Sequence, residues 1–145
     1  MKGSRWIALG GALGFVAVSA GAFGAHGLKS LPAERLAWWK TGSEYALAHA
    51  LALVLAGLLA SHGRGRASHV AAAAFATGTL LFSGSLWVMG LSGLRALGAV
   101  TPLGGLAFLV GWAAIAVAGF DRSRRGGSGA EEGEALPEDH VNVMP

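Results

Sequence analysis

The sequence predicts an all-α membrane protein with four transmembrane helices. Its 145 residues are 53% hydrophobic and only 13% charged, whereas soluble domains carry about 25% charged residues. The charges gather between long apolar runs, and these runs are of the length that crosses a hydrocarbon core of about 30 Å as a helix. Backbone amides and carbonyls in hydrocarbon need partners within their own segment, which favours helices over open strands.

The four apolar runs define a predicted membrane domain over residues 1–121. None of the runs contains Asp, Glu, Lys or Arg, and their approximate bounds are 6–25, 45–61, 70–91 and 97–120. They lack the alternation of apolar and polar residues that is typical of barrel strands. We therefore expect four helices in a single membrane domain.

The first run can be interpreted in two ways. A basic amino end, an apolar run and small residues up to Ala20 are also typical of a cleaved signal peptide. However, the run continues to Ala25 and fills a bilayer, whereas the apolar core of a signal peptide has about 7–15 residues. We expect a retained helix that stops at Gly27, and cleavage after Ala20 is the alternative.

The first connection is the longest of the three. It contains Pro32, which suits the first turn of a helix, followed by the sequence AERLAWWKTG. Tryptophans among charged residues, such as Trp38 and Trp39 here, are typical of a membrane–water interface. We predict a short interfacial helix after Pro32 that lies on the outer surface and leads into the second span.

The composition changes after Phe120, where the chain becomes rich in Gly, Glu and Pro. This composition is typical of disorder and predicts a disordered cytoplasmic tail over residues 122–145. Seven of the eleven Lys and Arg residues lie on the side of the two termini and four on the other side. Because cytoplasmic loops are enriched in Lys and Arg, both termini are predicted to lie in the cytoplasm, with the protein in the cytoplasmic (inner) membrane.

Composition also bears on the classes of function. The chain has no cysteine, which excludes disulfides, thiolate nucleophiles and cysteine-ligated metals. Its net charge is only +3, and the basic residues do not form the stripe that nucleic-acid binding requires. No carboxylate pair lies within the apolar runs, and no phosphate loop or triad motif is present. We expect no enzyme activity, no cofactor or metal and no nucleic-acid partner.

His49 is the strongest candidate for a functional side chain. It lies within the second apolar run, and Tyr45 lies four residues earlier on the same helix face. Ionisable residues inside a membrane are functional candidates, whereas hydrogen bonding to a neighbouring helix is the commoner use of such a group. One histidine does not form a metal site, and the structural and functional interpretations both stay open.

Three further candidates lie at helix ends. His26 is in the last turn of the first helix, where the helix dipole favours it. Thr101 is placed to cap the fourth helix, and Pro102 lies in its first turn, where the missing amide costs nothing.

The third helix carries several hydroxyl side chains. Such groups commonly bond to their own backbone or to a neighbouring helix, and lining a polar path is the alternative. These residues are Thr77, Thr79, Ser83 and Ser85.

Glycine is unusually frequent, with 24 residues. Small residues at regular spacing allow helix backbones to approach closely in a bilayer. The predicted packing ridges are Gly10, Gly14, Ala17, Gly21 and Ala25 in the first helix and Ala107, Gly111 and Gly119 in the fourth.

Several of these segments resemble one known family. The motifs GAFGAHGL, YALAHALAL, LFSGSLW and LGAVTPLGGLAFLVGW, with a Trp-rich segment after the first, occur in this order. The chain is similar over about residues 6–120 to the domain of unknown function 423 family, which includes eukaryotic transmembrane protein 256. The resemblance implies a compact multi-helix membrane protein and supplies no reaction. It implies six candidate structural or functional positions: His26, Tyr45, His49, Ser83, Thr101 and Pro102.

The leading hypothesis is a non-enzymatic packing or accessory component of the cytoplasmic membrane. Its partners would be the lipid bilayer and membrane helices, either of a second copy or of other proteins. The alternative is a small oligomeric channel or transporter with a polar path near His49 and the hydroxyls of the third helix.

Overall fold

The computed structural model describes residues 3–63 and 65–131. Within them the chain is all-α, as predicted, and the four helices are α1 (Gly3–Gly27), α2 (Ala33–Ser61), α3 (Gly65–Ser92) and α4 (Thr101–Glu131). A 3₁₀ helix, Arg95–Ala99, precedes α4. Four segments are long and apolar enough to cross a membrane, one in each helix and the last starting in the 3₁₀ helix, which confirms the predicted number of spans.

The helices form an antiparallel bundle in which α2 and α3 occupy the middle. Helix α1 packs on α2, α2 packs on α3, and α3 packs on α4. Gly3 lies against Ser61 at one end of the α1–α2 pair, and Gly24 lies against Trp39 at the other end. Because the spans alternate in direction and are even in number, the bundle begins and ends on the same side of the membrane.

The centre of the bundle is built mainly from small side chains. Phe75 and Leu53 are fully buried, and alanines from three helices surround them. The alanines of this core are Ala52, Ala56, Ala71, Ala72 and Ala114. Large apolar side chains such as Phe15 and Leu109 lie on the outside, as expected where the surroundings are lipid rather than water.

The structure does not show a separate interfacial helix after Pro32. The segment instead forms the first part of α2, which runs without a break from Ala33 to Ser61. The one glycine in this part of the helix, Gly42, is buried where α3 approaches, and a Cβ there would lie 3.2 Å from the Trp87 ring. Packing against α3 therefore holds the segment in line with the membrane span.

Helix α4 extends beyond the end of the predicted fourth span. It continues to Glu131, so residues 122–131 of the predicted tail are helical. Each residue added to an existing helix gains a backbone hydrogen bond, and the sequence has no proline between Pro102 and Pro137. The rest of the predicted tail, 132–145, lies outside the described residues.

The α1–α2 interface follows a stripe with a spacing of seven residues. Its buried members on α1 are Gly3, Gly10, Ala17 and Gly24. A seven-residue repeat keeps one helix face against its neighbour in a left-handed crossing. The sequence ridge with a spacing of four was only partly right, because Gly21 faces open space. In α4, Gly111 packs as predicted, whereas a Cβ at Gly119 would meet nothing within 4 Å.

Two arginines hold the connections at the end of the bundle where α1 stops. The Arg35 guanidinium donates hydrogen bonds to the carbonyl oxygens of Gly90, at 2.8 Å, and Leu91. These contacts satisfy carbonyls at the end of α3, which have no partner within the helix. Arg95 forms an ion pair with Glu34 at 2.7 Å, which links the 3₁₀ helix to the start of α2.

Replacing Gly10 by Ala is expected to destabilise the α1–α2 pair. A Cβ at this position would lie 2.7 Å from Val54 Cγ2 and 3.1 Å from the Ala50 carbonyl oxygen, and overpacking of this kind costs about 1–3 kcal/mol. The matched control is Gly11→Ala, because nothing lies within 4 Å of a Cβ there. Circular dichroism of unfolding in detergent should show a lower midpoint for G10A alone, and equal midpoints would contradict this packing.

Candidate functional site

The candidate site is built around His49, which lies near the middle of α2 and is only 7% exposed. Its Nδ1 atom lies 2.9 Å from the Tyr45 carbonyl oxygen one turn earlier in the same helix. Its Nε2 atom lies 3.3 Å from Nε1 of Trp112 in α4. Both ring nitrogens therefore have a partner, one on α2 and one across the bundle.

These two partners determine which nitrogen carries the proton. The Trp112 indole is only a donor, so Nε2 of His49 must accept and carries no proton. The Tyr45 carbonyl is only an acceptor, so Nδ1 must donate. The hydrogen-bond pattern thus requires the neutral Nδ1–H tautomer of His49.

The imidazole is also enclosed by aromatic rings. It stacks on Phe108 of α4, with ring centroids 3.4 Å apart and planes inclined by 11°. The ring centroid of Phe75 in α3 lies 5.8 Å from that of the imidazole. We call His49, Tyr45, Phe75, Phe82, Phe108 and Trp112 the histidine–aromatic cluster.

Three glycines make room for the phenylalanines of this cluster. A Cβ at Gly78 would lie 2.5 Å from Cδ1 of Phe108, and one at Gly111 would lie 2.5 Å from Cε1 of Phe75. Gly104 likewise faces the backbone and side chain of Phe82. Aromatic rings can therefore lie at the α3–α4 interface while the two backbones remain close.

Tyr45 and His49 share one face of α2, as their spacing predicted. Their ring centroids lie 5.8 Å apart with planes inclined by 18°. Tyr45 also stacks on Phe82 at 4.6 Å, and the residue is 44% exposed. Tyr45 therefore forms the outer edge of the cluster rather than part of its interior.

The hydroxyls of α3 do not share one face. The Thr79 hydroxyl donates to the Phe75 carbonyl oxygen at 2.8 Å within its own helix, whereas Thr77 lies on the exposed side. Ser83 is fully buried, and its hydroxyl has no hydrogen-bond partner among the described residues. Ser83 thus lies in the interior of the bundle, apart from the exposed Thr77.

Thr101 does not cap α4. Its Oγ1 lies 2.8 Å from Oγ of Ser85, and the amides of Leu103 and Gly104 bond to the Val100 carbonyl oxygen. Because the Ser85 hydroxyl donates its one proton to the Phe82 carbonyl oxygen, Thr101 donates to Ser85. The hydroxyl therefore joins α4 to α3.

The two remaining candidates lie apart from the cluster. Pro102 is the second residue of α4, as predicted, and is exposed. His26 is exposed in the last turn of α1, which ends at Gly27 as predicted. Neither residue lies in the cluster around His49.

Sequence reasoning missed the partners of His49. Phe75, Phe108 and Trp112 appeared only as parts of apolar runs. The available signal was the indole of Trp112, a donor within a membrane span that has no flanking charge and needs an acceptor. Among the described residues, no three His, Asp or Glu side chains are grouped as metal ligands.

The Nδ1–H tautomer is directly measurable. In ¹⁵N-histidine protein in detergent or bilayers, the His49 resonances should show a protonated Nδ1 and an unprotonated Nε2. Trp112→Phe removes the indole donor and should shift the Nε2 resonance, whereas Trp87→Phe, whose indole donates to Ser43, should leave it unchanged. A protonated Nε2 in the unaltered protein would contradict the assignment.

Comparisons with known proteins agree with this architecture. The family model described as "Protein of unknown function (DUF423)" matches residues 20–105. The chain is 43% identical over 115 residues to the UPF0382 membrane protein YwdK of Bacillus subtilis (strain 168), covering 78% of this chain and 94% of the relative. No solved structure matches the chain.

Two relatives from other bacteria are also similar in sequence to this chain. The UPF0382 inner membrane protein YgdD of Escherichia coli (strain K12) is 44% identical over 117 residues, which cover 78% of this chain and 87% of YgdD. A UPF0382 membrane protein of Haemophilus influenzae is 36% identical over 118 residues, or 81% of this chain and 94% of its own length. The chain, with its four spans and a histidine–aromatic cluster between α2, α3 and α4, therefore belongs to the DUF423 family of membrane proteins.

Proposed function

We propose that this protein is a non-enzymatic accessory component of the cytoplasmic membrane that binds other membrane helices. The observation that carries the proposal is the satisfied state of His49, the ionisable group at the centre of the bundle. Both of its nitrogens are hydrogen-bonded within the chain, and Phe108 covers one ring face. A histidine held in this way serves as a connection between α2 and α4, and it offers neither nitrogen to a substrate.

Other polar groups within the bundle support the same proposal. The Ser43 hydroxyl donates to the Trp39 carbonyl oxygen and accepts from the Trp87 indole. Thr79 and Ser85 donate to carbonyls of their own helix. Hydroxyls bonded in this way stabilise helix packing, and they support a structural role rather than a catalytic one.

The outer surface provides the room that a partner helix needs. Helix α1 buries mainly its seven-residue stripe, and most of its other residues are exposed. Large side chains such as Phe15 on α1 and Leu109 on α4 are 76% and 67% exposed. These faces contact lipid in an isolated copy, and they are the surfaces on which a second copy or another membrane protein would pack.

One observation favours the alternative of a small oligomeric channel. The Ser83 hydroxyl is buried in the bundle without a partner among the described residues. Such a group loses free energy, about 1–3 kcal/mol, unless a water or a solute reaches it. A path of this kind would have to reach the buried Ser83 hydroxyl on α3.

We further propose that both termini face the cytoplasm. Seven of the eleven Lys and Arg residues lie on the terminal side, in accord with the distribution of positive charge in bacterial membrane proteins. One relative is named an inner membrane protein, which supports the same membrane for this chain. The connection 28–32 would then lie outside the cytoplasm, and His62 and Gly63 after α2 would lie inside it.

Accessory and channel functions differ in their effect on vesicles. Purified protein in vesicles loaded with a pH-sensitive dye is expected to leave proton and potassium fluxes at the level of empty vesicles. A photoreactive amino acid is placed singly at Phe15, Leu80 or Leu109, on three different helices. In living cells, the positions on one of these helix faces should cross-link to another protein molecule. Two results together would favour the channel instead: a flux above that of empty vesicles that Ser83→Ala abolishes, and cross-links to lipid only.

The orientation is testable with single cysteines because the chain has none of its own. Ser30→Cys and His62→Cys lie in exposed connections at opposite ends of the bundle. A membrane-impermeant maleimide should label the Ser30 variant in intact cells and the His62 variant only after the membrane is opened. The reverse pattern would place the termini outside.

A further inference from the structure

A groove opens between the end of α1 and the start of α2, away from the histidine–aromatic cluster. Its volume is about 360 Å³, within the range of about 300–1,000 Å³ that small-molecule sites occupy. Gly21 and Gly24 form one wall, and Trp39 lies against Gly24 on the other. Its charged lining residues, which we call its rim, are Lys29, Lys40 and Glu44.

The groove is open beside Gly21. A Cβ at Gly21 would meet no atom within 4 Å, whereas one at Gly24 would lie 2.5 Å from Cδ1 of Trp39. The Trp39 indole donates its proton to the Ala20 carbonyl oxygen at 2.7 Å. The polar atom of the indole is therefore used within the bundle, and the walls around Gly21 are apolar.

The charges at the rim leave one cation free. Lys40 pairs with Glu44 at 3.8 Å, and both side chains are more than half exposed. Lys29 forms no ion pair or hydrogen bond with any residue in the described part of the chain. The nearby arginines are engaged elsewhere, Arg35 with carbonyls of α3 and Arg95 with Glu34. The net charge at the groove is thus positive.

The position of the groove determines which part of the bilayer surrounds it. Helix α1 ends at Gly27, so Gly21 and Gly24 lie in its last two turns and Lys29 follows in the connection. Lysines at the ends of spans extend toward the head groups while their stems stay in apolar surroundings. An apolar groove with lysines at this level faces both the acyl chains and the phosphates of one leaflet.

We propose that this groove binds a glycerophospholipid with a net negative head group. One acyl chain lies along Gly21 against the Trp39 ring, and the phosphate lies beside Lys29. A zwitterionic lipid can fill the groove equally well with its acyl chain, but it leaves the positive charge at the rim uncompensated. Head-group selectivity therefore comes from Lys29, and occupancy comes from the open space at Gly21.

The experiment is native mass spectrometry of the full-length protein released from nanodiscs. The nanodiscs contain equal amounts of phosphatidylglycerol and phosphatidylcholine, and the fraction of protein carrying each lipid is measured. Gly21→Leu fills the groove, and Gly11→Leu is its matched control, since a Cβ at Gly11 also meets nothing within 4 Å but lies outside the groove. Lys29→Gln removes the free cation, and Arg66→Gln, at the opposite end of the bundle, is its control.

The unaltered protein should retain phosphatidylglycerol in preference to phosphatidylcholine. Lys29→Gln should reduce that preference about fivefold, the factor that corresponds to about 1 kcal/mol for one cation near an anionic lipid surface. Gly21→Leu should reduce retention of both lipids, while Gly11→Leu and Arg66→Gln should match the unaltered protein. Circular dichroism establishes that each variant is folded before its lipids are counted.

Three results would overturn the proposal. Equal retention of the two lipids by the unaltered protein would show that the head group is not recognised. Unchanged retention in both Gly21→Leu and Lys29→Gln would show that the lipid binds elsewhere. Inorganic phosphate added to the nanodiscs should not displace the lipid, and displacement would show an anion site that needs no acyl chain.

Discussion

The close approach of helix backbones at glycines is the constraint on which the rest of this structure depends. Helices in a bilayer gain little from burying apolar side chains, because lipid is as apolar as they are. Close packing must therefore supply the association energy. Gly3, Gly10 and Gly24 bring α1 against α2, and Gly78 and Gly111 admit the rings of Phe108 and Phe75 between α3 and α4. Without Gly78 and Gly111 the rings of Phe108 and Phe75 beside His49 would have no room.

Tryptophan supplies the polar connections between the closely packed helices. Each of four indole N–H groups donates to an acceptor on a helix other than its own. The pairs are Trp6 with His69, Trp39 with the Ala20 carbonyl, Trp87 with Ser43, and Trp112 with His49. A donor left without a partner in hydrocarbon costs several kcal/mol. These bonds therefore fix the register of the helices, which apolar packing alone specifies less strictly.

The centre of the bundle and the end where α1 stops have different chemistry. The centre is closed, because His49 has both nitrogens bonded and Phe108 covers its ring. The end where α1 stops combines an apolar groove with an unpaired Lys29. A bundle whose central histidine is fully hydrogen-bonded and whose groove opens at one end has its free binding surface on the outside. The proposed accessory function and the proposed lipid site both place binding there.

The sequence by itself determined the four spans, the all-α class and the positions of Gly27 and Pro102 at helix ends, because a bilayer imposes length, apolarity and internal hydrogen bonding on any span. It also identified His49 and Tyr45 as neighbours, since their spacing follows from helix geometry. Only the tertiary structure decided that Trp39 lies in a helix interface and that Thr101 bonds to Ser85. It likewise decided that Trp112, 63 residues away along the chain, is the partner of His49. Helix periodicity specifies which residues share a face, but the neighbour of that face depends on how the helices pack.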